Sequence, residues 1–451
     1  MVKELLETHQ DKLTQKTINP HWNLLNEDFF LYLSMNIEAL YQIYSSNYLV
    51  TTDTRTIKIG AIFFSLQGDH FNGNKFAATA IQKGAKYAVI DDANYQIEGK
   101  TIVVDNVLET LQKLANYHRK QLKIPIIGIT GSNGKTTTKE LINNVLATQF
   151  KTKATKGNLN NHIGVPLTLL SFTNKTEIGI VEMGANHQKE IEFLSSICEP
   201  DVGYITNFGK AHLEGFGGIE GVIKGKSELY TYLKNNNKIA FIDAKDAKQL
   251  ELTKTIDSIS LNSAVTISSS QPYISLNYNN EIINTQLIGA YNLNNFKAAI
   301  SIGEYYKVSK KNIITGISNY KPTNNRSQVV RKKSNTIVMD AYNANPSSTR
   351  LALENFNEIN HDHKIVILGD MFELGAASEK EHQNIVDLCD TLNLNRCVFV
   401  GKHYSKTSAV EKYLTIASLK ESITTTPLEK SYILIKGSRG MSLEQLLECI
   451  N

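Results

Sequence analysis

The chain has 451 residues and a formal net charge of +4, from 48 Lys and Arg against 44 Asp and Glu; without a basic block, that balance does not imply a nucleic-acid partner, and none is expected. No apolar run is long enough to span a bilayer and no signal-peptide core is visible, so a cytosolic protein is expected. About three domains are expected, because one core seldom grows beyond ~250 residues, and the scattered Cys198, Cys389, Cys397 and Cys449 predict neither disulfides nor zinc.

Residues 1–34 are polar and patternless and read as an extension, with Met35 a candidate start. Asn36 to Tyr44 has amphipathic helical spacing. From 51 to 119, strands at 61–66, 87–90 and 101–104 alternate with helices at 75–83 and 107–120, giving a small α/β domain over 35–121. In its loop Thr52-Asp53-Thr54-Arg55, Arg55 suits a phosphate oxygen.

A second domain, 122–321, opens on an apolar strand, Ile126-Ile127-Gly128-Ile129, followed by Thr130-Gly131-Ser132-Asn133-Gly134-Lys135-Thr136-Thr137-Thr138 and a helical pattern from Lys139. Strand, glycine loop and helix form a phosphate loop. Gly131 and Gly134 let the N–H groups of Ser132, Asn133 and their neighbours converge, the helix N-terminus adds positive potential, Lys135 adds a full charge, and the Thr136 hydroxyl suits Mg²⁺. This predicts a site for the polyphosphate of a nucleotide. The amide-rich loop 156–166, with Asn160, Asn161 and His162 as candidate substrate contacts, leads into a helix expected over 166–170. A strand then ends in Glu182, and another, 202–206, leads to a glycine-rich loop holding His212. Ligand crevices lie beyond the carboxyl ends of parallel strands, so both side chains are expected near Lys135, where a neutral imidazole and a carboxylate suit a cation. The following helix carries Lys224 and Lys226, and one of them facing a cation cleft is a candidate for modification or a shifted pKa. Residues 258–285 read as an antiparallel meander, and Asn295 opens a helix.

The third domain, 322–451, predicts strands 336–339, 364–368, 397–400 and 432–436 in a largely parallel sheet. Asn345 is the expected N-cap and Pro346 the first helical residue after Asp340. Ser442 with Gln445 predicts a capping box for the last helix.

Three α/β domains with Thr-Gly-x-x-Gly-Lys-Thr-Thr in the middle one resemble the ATP-dependent muramyl ligases. The stretches Glu182-Met183-Gly184-Ala185-Asn186-His187, Ala211-His212-Leu213-Glu214-Gly215-Phe216-Gly217, Asp340-Ala341-Tyr342-Asn343-Ala344-Asn345-Pro346 and Gly369-Asp370-Met371-x-Glu373-Leu374-Gly375 carry the likeness. Sister ligases typically have Ser-Ser where this chain has Gly184-Ala185. The resemblance implies a monomer with UDP-N-acetylmuramoyl-tripeptide and D-alanyl-D-alanine as substrates, ATP as energy source and two Mg²⁺ ions. It implies Thr54 and Arg55 for the UDP end; Lys135 and Thr136 for phosphates and Mg²⁺; Glu182 and His212 for a second Mg²⁺; a carbamylated Lys226; Asn295 at adenine; and Arg326 and Asp340 reaching phosphates and ribose. Asn325 and Met339 depart from the residues usual before that Arg and Asp. Folylpolyglutamate synthetase shares the plan but not the third-domain motifs. A phosphate-loop kinase would not need the third domain, and a non-enzymatic nucleotide-binding module would not need the metal candidates.

Overall fold

In the computed structural model, which describes residues 36–322 and 325–450, the chain divides into two compact units between Tyr117 and His118. The 1–34 extension and the start at Met35 lie outside the described residues. In the first unit the Asn36 side chain accepts from Ala39 N at 2.9 Å and caps the helix Ile37–Ser45. Strands β1 (Val50–Thr51) and β2 (Ile62–Phe64) are followed by a short ribbon, β3 (Gln67–Gly68) with β4 (Phe71–Asn72), then β5 (Tyr87–Ile90) and β6 (Thr101–Val103). The main sheet is parallel in the order β1-β2-β5-β6. The helix expected at 75–83 is a 3₁₀ turn, Gly73–Phe76, leading into Ala77–Gln82.

The second unit holds two six-stranded sheets. The first comprises β7 (Ile126–Thr130), β8 (Thr152–Ala154), β9 (Ile178–Glu182), β10 (Val202–Ile205), β11 (Ile239–Ile242) and β12 (Ser258–Ser260), all parallel in the order β12-β11-β10-β7-β9-β8. Every residue of β7 is buried, as a strand covered on both faces requires, and each of Ile126, Ile127 and Ile129 contributes ~1.5–3 kcal/mol by burial. The chain runs from β7 to the edge strand β8, returns to β9 beside β7 and then crosses to β10 on the other side, so the strand order reverses at β7. A ligand crevice opens beyond the carboxyl ends at such a reversal. Register pairs Ile129 with Glu182 and Thr130 with Ile205 there.

Three expectations in this region need correction. The helix after the phosphate loop starts at Lys135, not Lys139, because Gly134 supplies the left-handed residue from which it springs. The helix expected at 166–170 is Gly164–Leu169, since the Asn161 Oδ1 already accepts from Gly164 N at 2.9 Å and Pro166 falls third, still within the turn where its missing N–H costs nothing. The 258–285 meander is shorter than expected. Ser258–Ser260 joins the parallel sheet through the crossover helix Ala247–Leu252, and only β13 (Thr266–Ser269), β14 (Ser275–Tyr278) and β15 (Glu281–Asn284) are antiparallel.

The other sheet comprises β16 (Gln328–Lys332), β17 (Asn335–Asp340), β18 (Lys364–Gly369), β19 (Arg396–Val400), β20 (Lys412–Tyr413) and β21 (Tyr432–Lys436), in the order β16-β17-β21-β18-β19-β20. Only β16, at the edge, is antiparallel to its neighbour. Asn345 and Ser348 form a reciprocal capping box on the helix Pro346–Asn357. Ser442 does not cap: its φ of +52° is left-handed rather than extended, and 3₁₀ turns over Leu443–Glu448 follow. Among the described residues no helix is long and apolar enough to cross a membrane.

Candidate active site

The phosphate loop is shaped by close packing. Gly131 has φ +135°, and a Cβ there would lie 2.1 Å from Thr206 Oγ1; Gly134, at φ +80°, would meet Asn295 Oδ1 at 2.7 Å. Neither position accepts a side chain. The loop is tied to the end of β10: Thr206 Oγ1 donates to Asn133 O at 2.6 Å, Asn133 N to Asn207 Oδ1 at 3.1 Å, and Ser132 Oγ to Gly209 O at 2.8 Å. Lys135 curls over its own loop, its Nζ donating to Gly131 O at 2.7 Å and Ser132 O at 3.1 Å. Burial holds that ammonium below the usual lysine range, with the charge of Glu182 opposing the shift and that of Arg326 adding to it.

Because β9 lies beside β7, Glu182 arrives at the mouth of this loop, only 1% exposed. Thr136 Oγ1 donates to its Oε2 and Asn160 Nδ2 to its Oε1, each at 2.8 Å. A hydroxyl and a carboxylate in contact at a phosphate loop fit the oxygen chemistry of Mg²⁺. Among the described residues no group of three or more His, Cys, Asp or Glu side chains could hold a metal.

The other residues singled out from the sequence fall as follows. His212, at φ +53°, touches Glu373 through Nδ1. Asn295 sits beneath the loop, accepting from Thr138 Oγ1 at 2.9 Å and donating to Asn292 Oδ1 at 2.7 Å. Asn161 and His162 are exposed. Lys226 is fully buried; its Nζ donates to Ala185 O at 2.8 Å and lies 4.9 Å from the Phe216 ring centroid. Burial, and secondarily the charge of Lys135, push its pKa well below the ordinary lysine value, against the opposing pull of Glu190 and Glu228. In the first unit Arg55 is exposed and paired with Asp53 at 2.8 Å.

The sheet β16–β21 supplies the facing wall. The Arg326 guanidinium stacks 3.5 Å from the Tyr342 ring centroid. Asp340 accepts from Lys436 Nζ at 2.6 Å and from Ser327 N at 3.2 Å. Asn345 Nδ2 donates to Asn133 Oδ1 at 2.7 Å, Lys210 N to Ser347 Oγ at 2.9 Å, and Lys210 Nζ to Glu381 at 2.6 Å. Between the walls lies a cleft of about 520 Å³ lined by Ser132, Asn133, Gly134, Lys135, Thr136, Thr137, Asn160, Asn161, His162, Glu182, His212, Asn295, Arg326 and Asp340, among others. Gly131 and Lys226 do not line it, and Thr54 and Arg55 belong to the other unit. Tyr342 and Lys436 line it without having been singled out for chemistry. The glycine after Lys436 at the end of an apolar strand hinted at its place; its pairing with Asp340 depends on the register of β17 with β21.

A phosphate loop at the reversal of a parallel sheet, faced by cations from a second α/β sheet, defines a nucleotide-binding α/β protein of three domains. Profiles described as "Mur ligase family, catalytic domain", "Mur ligase middle domain" and "Mur ligase, glutamate ligase domain" match residues 47–127, 129–303 and 325–439. The UDP-N-acetylmuramoyl-tripeptide–D-alanyl-D-alanine ligase of Bacillus subtilis (strain 168) is 33% identical over 421 residues, spanning 88% of this chain and 92% of that one. A MurF crystal structure from Acinetobacter baumannii superposes with a TM-score of 0.78 at 29% identity, over 88% of this chain and 92% of that one. A MurF ligase from Thermotoga maritima, solved in complex with ADP, shares the fold at TM-score 0.76 and 24% identity, over 89% of this chain and 96% of that one. The chain belongs to the Mur ligase family.

Proposed function

We propose that this chain is an ATP-dependent, ADP-forming peptide ligase of peptidoglycan synthesis that joins D-alanyl-D-alanine to UDP-N-acetylmuramoyl-tripeptide, acting in the cytoplasm as a monomer. The observation that carries the reading is the convergence of Lys135, Thr136 and Glu182 with Arg326 and Asp340 on one cleft. The choice of substrates is supported by the name of the Bacillus subtilis relative, matched over 92% of its length. We divide the chain into 35–121 for the UDP end, with Thr54 and Arg55, 122–321 for ATP, and 322–451 as the closing domain.

A carboxylate does not acylate an amine directly. Its oxygen attacks the γ-phosphate of ATP, forming an acyl phosphate and releasing ADP; the dipeptide amine then adds to the acyl carbon, and phosphate leaves. Lys135, on trading its bonds to Gly131 O and Ser132 O for phosphate oxygens, and the N–H groups at the start of the helix Lys135–Leu146 offset the repulsion between two anions. Arg326 adds charge from the other wall, Asp340 is assigned to the ribose and Asn295 to the adenine side. Asn160, Asn161 and His162 face the acceptor peptide. Thr136 and Glu182 would hold one Mg²⁺, and Glu182 and His212 a second, which would supply further neutralisation of the phosphate oxygens. Lys226, buried and biased toward its neutral amine, is suited to add to CO₂, forming a carbamate and releasing a proton.

The test is to incubate the protein with ATP, Mg²⁺, UDP-N-acetylmuramoyl-tripeptide and D-alanyl-D-alanine and follow products by mass. The expected result is the joined pentapeptide with ADP and phosphate, and neither from Lys135→Ala. AMP with pyrophosphate, or ADP without a joined product, refutes the reading.

A further inference from the structure

The loop Asp370–Gly375 follows β18 and is held firmly from its own side. The Asp370 carboxylate, 2% exposed, accepts from His403 N and Tyr404 N at 3.0 Å each; Met371 N donates to His382 Nε2 at 3.0 Å, and Phe372 N to Ser438 Oγ at 2.9 Å. The loop's tip crosses to the other sheet. Glu373 O accepts from Glu214 N at 3.2 Å, and the Glu373 carboxylate touches His212 Nδ1. Glu373 and His212 both have left-handed backbones, at φ +62° and +53°, a conformation that non-glycine residues avoid unless their surroundings impose it.

We propose that Glu373 is a positioning residue for His212: docked from the β16–β21 sheet, its carboxylate engages Nδ1 and leaves Nε2 as the atom presented to the phosphate cleft. A carboxylate only accepts, so the contact favours the tautomer with the proton on Nδ1, and holding one ring nitrogen sets the ring's orientation at the other. His212 lines the cleft while Glu373 is not among its lining residues. The contact therefore ties the competence of a residue of one sheet to the seating of the other, alongside the pair Lys210 and Glu381. This inference rests on the reading of His212 as a cation ligand given above.

The test compares wild type, Glu373→Gln and Glu373→Ala for Mn²⁺ affinity in the presence of ADP, read by electron paramagnetic resonance, and for kcat and KM. Groups that orient a metal ligand are typically worth about 10–100-fold in affinity or rate. Glu373→Ala is expected to weaken Mn²⁺ binding and lower kcat by roughly that factor, with the KM for UDP-N-acetylmuramoyl-tripeptide unchanged, and Glu373→Gln, whose amide oxygen still accepts, to fall between. In a His212→Ala background Glu373→Ala should add nothing. Equal Mn²⁺ affinity in all three proteins, or a full additional loss in the His212→Ala background, overturns the proposal. Should Glu373→Ala fail to fold, Glu373→Asp, which withdraws the charge by one methylene, must show the weakened binding instead. A wild type that forms no pentapeptide refutes the function above and leaves the Mn²⁺ comparison to be judged alone.

Discussion

Asn345 Nδ2 donates to Asn133 Oδ1 at 2.7 Å, while the same side chain's Oδ1 accepts from Ser348 N at 2.9 Å. One amide thus caps a helix in the β16–β21 sheet and grips the phosphate loop of the β7–β12 sheet. Asn345→Ala is expected to cost about 1 kcal/mol for the lost cap, lowering the melting temperature by ~2–4 °C, and to raise the KM for ATP up to about tenfold for the lost cross-bond. Asn345→Ser, which still caps but is too short to reach Asn133, should restore the melting temperature and keep the raised KM. Calorimetry with steady-state kinetics checks both, and recovery of ATP affinity in Asn345→Ser would argue against the bridge.

Lys226 is buried with its Nζ on Ala185 O and its pKa depressed mainly by that burial. If it works as a carbamate, Lys226→Ala should lose at least about a hundredfold in rate, the scale of removing one fixed charge contact to a transferring group. Formate or acetate should return part of that activity by filling the place of the missing anion. The readout is the initial rate of ADP formation with and without the additive. Full activity of Lys226→Ala without additives rules the carbamate out.

His118 is fully buried, its Nε2 lies 3.1 Å from Phe172 O, and burial pushes its pKa down to about 4. The folded value lies below the unfolded one, so between the two the unfolded chain binds more protons and stability rises with pH. Stability is therefore expected to fall as pH drops from about 6.5 toward 4, by up to about 3 kcal/mol from this group alone. Denaturant unfolding across that range should show a shallower pH slope for His118→Gln. Parallel slopes in the two proteins would assign the acid sensitivity elsewhere.

What could be read in advance followed from local chemistry. Gly131, Gly134, Lys135 and Thr136 lie within a single strand–loop–helix, and Asn345 followed by Pro346 announces a helix start wherever it occurs. Glu182 was placed correctly at the carboxyl edge because its strand ends in a carboxylate after a wholly apolar run. The boundaries that slipped, at Lys135, Gly164 and Ser442, were decided by left-handed residues and by the reach of Asn161, which periodicity does not encode. Pairings between distant segments were invisible for a different reason. Asp340 meets Lys436 only because β21 lies against β17, and Glu373 meets His212 only because two separate sheets face each other.

The position of β21 bears on how the protein is made. It is the last of its sheet to leave the ribosome, yet it lies between β17 and β18 and hydrogen-bonds to both. Until Tyr432–Lys436 emerges, its earlier neighbours are left as two fragments with exposed edges, whereas every strand of the β7–β12 sheet has been synthesised by Ser260. Birth of the polypeptide thus completes the nucleotide-holding sheet long before the one that closes upon it, and ribosomes stalled shortly before residue 432 would carry the first sheet assembled and the second in halves.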